Sequence, residues 1–229
     1  MAEIKQLDAA DLGSLTLDEI HRHDLIVVKN FVAPNLCQRF IDELVAFTAT
    51  NEPRLGDRFR EDFYQVDIEP EKSVTKRIFR TFFMVPRNEC LASTVAHEVF
   101  SRLLRVQIDI LGIDTSFSED PAVLASRPQV INYPRGGGYF DWHTHPRFPT
   151  DYGLILNLSR KGANFDHGQT EFEVDGEVLQ LDNVADGGDM AMFRFDLPHR
   201  VAPVDPSVPL EWNAHGRWTA VLPVLVSGS

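Results

Sequence analysis

The chain has 229 residues, 43% of them hydrophobic and 24% charged, the balance of a folded protein with one well-buried core rather than of a disordered chain. Twenty-two basic residues against 34 acidic ones give a formal charge of −12, which excludes a general nucleic-acid binder and says little about small-molecule ligands. No apolar run is long enough to cross a bilayer, no apolar leader opens the chain, and the cysteines are Cys37 and Cys90 alone, so we expect reduced thiols, no membrane partner and a cytoplasmic setting.

No repeat or linker divides the chain, and we read it as a single domain. Residues 1–125 form a helix-rich support region with outer strands, and residues 126–229 form a β-rich core. In chain order, Leu25 to Phe31 predicts a strand by its β-branched content. Pro34-Asn35 then opens a helix whose Phe40, Ile41, Leu44, Val45 and Phe47 recur at helical spacing. Ile78 to Val85 predicts a strand ended by Pro86. A second helix from about Cys90 to Leu111 carries Val95, Val99, Leu103, Val106 and Ile110 on one stripe and stops at Gly112.

Beyond this point strands and turns alternate. Pro128 to Tyr133 predicts a strand, Pro134 with Gly136-Gly137-Gly138 a turn, and Tyr139 to His145 the returning strand. Gly153 to Leu158 predicts an apolar strand that is either buried on both faces or central. Phe172 to Leu179 predicts a hairpin around Asp175-Gly176. Asp189 to Phe195, His199 to Val204 and Arg217 to Val226 add three more. Short strands at regular spacing suggest a sandwich or barrel, with the helices covering one sheet from outside.

The chemistry concentrates in this second half. His143 and His145 sit two apart in a predicted strand and so share a face. With His199 brought in by a later strand they can hold one divalent metal, and imidazole suits iron, zinc, copper or nickel. Arg217 stands in an otherwise apolar strand, where a guanidinium needs an anionic partner, either a ligand carboxylate or an acidic side chain. Asn157, on the strand Gly153 to Leu158, offers an amide either to a ligand or to the backbone. Arg80, Arg135 and Arg147 are weaker candidates for a substrate carboxylate.

The stretch Tyr133-Pro134-Arg135-Gly136-Gly137-Gly138-Tyr139-Phe140-Asp141-Trp142-His143-Thr144-His145 resembles the iron(II)/2-oxoglutarate-dependent oxygenases of the prolyl-4-hydroxylase-like branch. So do Gly168-Gln169-Thr170-Glu171-Phe172, Gly188 to Phe193, His199 to Val204, and Gly216-Arg217-Trp218. The resemblance implies a mainly β, double-stranded β-helix (jelly-roll) fold supported by N-terminal helices. It implies His143 and His199 as ligands of Fe(II), and 2-oxoglutarate as cosubstrate, bound by Arg217 with Asn157 and Tyr139. Dioxygen would oxidise a C–H bond of a small metabolite, most simply by hydroxylation, with release of succinate and CO2. Where the family usually has His-x-Asp or His-x-Glu, this chain has His145. That residue either ligates directly, or stands aside for water or an anion, or yields to a carboxylate such as Asp141. Two other functions stay open: a three-histidine ferrous dioxygenase independent of 2-oxoglutarate, and a non-catalytic metal or 2-oxoglutarate sensor.

Overall fold

A computed structural model describes residues 4–55, 64–67, 75–84, 93–118 and 124–225. The expected start of the second helix at Cys90 and the expected strand ends at Val85 and Val226 lie outside the described residues.

Four N-terminal strands are β1 (Lys5–Asp8), β2 (Leu25–Lys29), β3 (Arg54–Leu55) and β4 (Tyr64–Asp67), followed by the longer β5 (Arg77–Phe83). The helices are α1 (Leu17–Ile20), α2 (Pro34–Thr48) and α3 (Thr94–Arg105). Pro34 at the first turn of α2 and the Ser93 hydroxyl, which accepts from the Val95 and Ala96 amides, start the two longer helices. The helix expected to run to Leu111 changes character at Val106. Residues Val106–Ile110 form a wider π-helical turn, and there Gln107 is buried and donates to the Leu222 carbonyl.

After the two-residue β6 (Ala125–Ser126), eight strands build the core. They are β7 (Gln129–Tyr133), β8 (Gly138–His143), β9 (Tyr152–Asn157), β10 (Thr170–Val174), β11 (Glu177–Gln180), β12 (Met190–Arg194), β13 (His199–Val204) and β14 (Arg217–Val221). A short β15 (Val224–Leu225) pairs with β6. The hydrogen-bonded order runs β12-β9-β14-β7 on one side and β8-β13-β10-β11 on the other. Two four-stranded sheets interleaved in sequence this way are a jelly roll. β5 joins them: Arg80 to Phe83 pair with β7, and Arg77 and Ile78 pair with β8. β2 and β1 extend the other edge beyond β12.

Strand alternation divides the side chains between two cores. Ile26, Val28, Phe82, Val130, Leu156, Met190, Met192, Trp218 and Ala220 point outward from the larger sheet and bury against Phe40, Ile41 and Leu44 of α2 and Val99, Phe100 and Leu103 of α3. The intervening residues point between the sheets and line a cavity of about 320 Å3. The helices thus stiffen one wall of the barrel, as expected, but the first half also supplies cavity surface, because Arg77, Phe79 and Thr81 of β5 face inward.

One turn depends on a glycine. Gly188 has φ +94, and a Cβ there would stand 2.2 Å from the Val32 carbonyl oxygen. Its amide donates to the Asn157 carbonyl, and its carbonyl accepts from the Val32 amide. Gly188→Ala is therefore expected to cost about 2–4 kcal/mol, the sum of a left-handed alanine and a backbone collision that neither segment can relieve by rotating a side chain. Denaturant unfolding would measure it, and a change under ~1 kcal/mol would contradict this account.

Candidate metal centre

β8 and β13 lie side by side with His199 directly opposite His143. Between His199 and Val201 the partner strand advances from His143 to Phe140, one residue more than β13 does. This bulge turns both Phe140 and His143 toward the cavity, although they are an odd number apart. β8 ends at His143, so His145 does not reach the site by strand alternation. The chain beyond the strand is fixed instead by the His145 amide, which donates to the Phe195 carbonyl at 2.8 Å.

The outcome is one cluster. One nitrogen of each of His143, His145 and His199 lies within 4.8 Å of the others. The ring centroids are 4.2 Å apart for His143 and His199, 4.9 Å for His143 and His145, and 5.0 Å for His145 and His199. Two rings are held by backbone carbonyls: His143 Nδ1 lies 2.7 Å from the Asp141 oxygen and His199 Nδ1 2.9 Å from the Leu197 oxygen. A carbonyl can only accept, so each Nδ1 carries the proton and each Nε2 keeps its lone pair for a metal. Phe140 stacks on His143 at 3.8 Å, Phe193 meets His199 edge-on at 4.7 Å, and Phe195 packs against His145.

Burial in this aromatic shell disfavours the charged imidazolium. It pushes His199 down to about 3, with His143 adding repulsion, and His145 down to about 4. His143 is lowered as well, chiefly by burial, against the opposing pull of Asp141. All three rings are neutral at physiological pH, the form in which imidazole ligates.

Asp141 takes no part in the cluster through its carboxylate, which accepts from the Trp142 amide at 2.9 Å; its carbonyl is what orients His143. Tyr139 pairs with Ile78 on β5 and is not among the residues that line the cavity, whereas Tyr133 is. Burial pushes the Tyr133 hydroxyl well above its usual range, with Arg217 nearby acting in the opposite sense.

Arg217 opens β14 and is 1% exposed. Its Nη1 donates to both oxygens of Asp182 at 2.7 and 2.8 Å, and its Nη2 to Asn157 Oδ1 at 2.9 Å. The guanidinium lies over the Phe165 ring at 5.3 Å. Asp182, which the sequence does not single out, sits on a short 3-10 turn, Leu181–Asn183, and also accepts from the Thr170 amide at 3.1 Å. Two buried donors around this carboxylate are left without a partner, Arg217 Nε and the Thr170 hydroxyl, and Thr170 lines the cavity. Arg217 and Asn157 do not themselves line the cavity, but an orphaned hydroxyl on its wall, in the same cavity as three neutral imidazoles and backed by the Arg217 guanidinium, fits a metal and an anionic ligand.

No family model matches the chain, and no curated protein sequence matches it. Its fold matches solved structures. A prolyl-4-hydroxylase from Pseudomonas putida superposes with a TM-score of 0.59 at 15% identity, covering 93% of this chain and 97% of that one. A prolyl hydroxylase from Trichoplax adhaerens, in complex with a peptide fragment of a hypoxia-inducible factor oxygen degradation domain, gives 0.60 at 14%, covering 93% and 89%. A 2OG-Fe(II) oxygenase family oxidoreductase from Burkholderia pseudomallei gives 0.53 at 15%, covering 97% and 96%. At these identities the likeness establishes the shared jelly-roll fold.

Proposed function

We propose that this chain is a non-haem iron(II)- and 2-oxoglutarate-dependent oxygenase that oxidises an unactivated C–H bond of a small molecule. The observation that carries the proposal is the convergence of three neutral imidazoles on one point of the cavity wall, in a jelly roll shared with such enzymes. His143, His199 and His145 would hold the ferrous ion, which when bound supplies the dioxygen activation that no side chain here can perform. A cavity of about 320 Å3 lies at the small end of ligand sites, roughly 300–1,000 Å3, and suits a small substrate. Phe140, Phe193 and Phe195 pack against the three rings and cover part of the cluster, in which His199 is buried and His143 and His145 are half-buried. Arg217 and Thr170 would offer their unpartnered donors to the far carboxylate of 2-oxoglutarate, with Asn157 holding the guanidinium in place.

The ion pair between Arg217 and Asp182 favours a second reading, a three-histidine ferrous dioxygenase that uses no 2-oxoglutarate, because Arg217 is already bound to a carboxylate of the chain. One titration separates the two. Anaerobic protein loaded with Fe(II) is expected to develop a visible metal-to-ligand charge-transfer band on adding 2-oxoglutarate. Bound iron with no band would leave the second reading.

His145→Asp is expected to keep about one iron per chain, since a carboxylate is the family's usual ligand at this position and the Phe195 carbonyl still fixes the backbone. Iron analysis after anaerobic desalting measures it; a variant empty of iron would argue against His145 occupying the family's acidic position, since an aspartate there would then fail to reach the metal.

A further inference from the structure

The cavity wall carries a buried cation that this reading leaves unused. Arg77 opens β5 on its inward face, lines the cavity and is 9% exposed. Its Nε donates to the buried carboxylate of Asp67, while its two terminal nitrogens make no hydrogen bond to any described residue. The guanidinium lies 5.4 Å from the Phe79 ring centroid and 5.8 Å from that of Phe140. Phe140 in turn stacks on His143. One aromatic ring therefore separates this cation from the imidazole cluster.

The other arginines are placed differently. Arg80, one position out of phase on the same strand, points away from the cavity and donates to Asn132 and to the Asn213 carbonyl. Arg135 pairs with Asp205, and Arg147 is exposed and pairs with Asp151. Arg200 also lines the cavity and also donates through Nε alone, to Glu171, but it lies over Trp142 and its side chain is 34% exposed against 10% for Arg77. Among the described residues Arg77 is thus the more buried of the two arginines that line the cavity, with its free edge set between Phe79 and Phe140.

Resting on the oxygenase reading above, we propose that Arg77 anchors the carboxylate of the substrate, which is then a small monocarboxylic acid with a mainly apolar body. Asp67 offsets much of the charge, so recognition depends on the fork of N–H donors, which a carboxylate's two oxygens match and an amide's single oxygen does not. Phe79, Ile131, Phe193, Phe195 and Leu222 would take the apolar body and hold its carbon atoms near the three histidines.

The test uses metal-free protein, so it is independent of the metal reading. Calorimetric titrations compare 3-phenylpropanoate, hexanoate and 4-methylpentanoate, each with its primary amide, against wild type, Arg77→Met and Arg217→Met. Wild type is expected to prefer at least one acid over its amide by about 10- to 100-fold, Arg77→Met to lose that preference, and Arg217→Met to keep it. No acid preference in wild type, or a preference that survives Arg77→Met, would overturn the assignment. So would a preference lost in Arg217→Met and kept in Arg77→Met. The same preparations, loaded anaerobically with Fe(II) and 2-oxoglutarate, report the oxygenase reading separately through the charge-transfer band. If Arg77→Met weakens 2-oxoglutarate tenfold or more, Arg77 serves the cosubstrate and the proposal fails.

Discussion

His199→Ala is expected to lower Fe(II) affinity by more than about 100-fold, and so to abolish any iron-dependent turnover. Losing a residue that merely orients a ligand typically costs roughly 10–100-fold, so a larger loss separates a ligand from a neighbour. His199 is 5% exposed, its Nδ1 is committed to the Leu197 carbonyl, and Nε2 is left facing the other two imidazoles. A purely structural histidine would behave otherwise. Burial holds it neutral, with a folded-state value near 3 against 6.5 for the free side chain, so alanine would remove a packed ring between Phe172 and Phe193 and change stability without touching metal affinity. The two are told apart by thermal melts with and without metal under anaerobic conditions. Wild type should gain stability with the logarithm of ligand excess, and the variant should not. A variant that melts lower but still gains the same increment from iron would remove His199 from the site.

Much of this site is legible in the sequence because its parts obey short-range rules. The β-branched and apolar runs predict all eight core strands, and the β13 boundaries, His199 to Val204, agree with those observed. The three histidines converge as expected, yet the stated reason holds only in part. Alternation along β8 would pair Asp141 with His143, whereas the bulge brings Phe140 round and leaves Asp141 to act through its carbonyl. A bulge is fixed by pairing with a strand more than fifty residues away, and nothing local announces it. The choice among arginines fails for a related reason. The predicted strand begins at Ile78, so its phase is set without Arg77, and Arg80 is singled out although it faces the helical layer. Asp182 is illegible because its importance comes from one long-range contact, 35 residues from Arg217, made by a turn with no motif.

That contact makes Arg217→Met the most informative single substitution for stability. The guanidinium is buried with Asp182, whose side chain is 5% exposed, and it supplies two of the hydrogen bonds to that carboxylate. Methionine fills similar space but leaves the charge with only the Thr170 amide. Removing one partner of a buried pair costs about 3–5 kcal/mol, and for a chain of this size that is a fall of about 6–20 °C in Tm. The cost belongs to the stranded anion rather than to the lost arginine, so Arg217→Met/Asp182→Asn should recover most of it, since a neutral amide can be buried with its one remaining hydrogen bond far more cheaply. Function should divide the two variants from wild type differently. If Arg217 holds the far carboxylate of 2-oxoglutarate, the stable double variant still binds iron through its three histidines yet needs at least about tenfold more 2-oxoglutarate to develop the charge-transfer band, because a charge-assisted hydrogen bond worth roughly 1.5–3 kcal/mol is gone. If the double variant binds 2-oxoglutarate as wild type does, Arg217 is only a structural partner of Asp182 and Asn157, and the cosubstrate must find its anion contact at another residue.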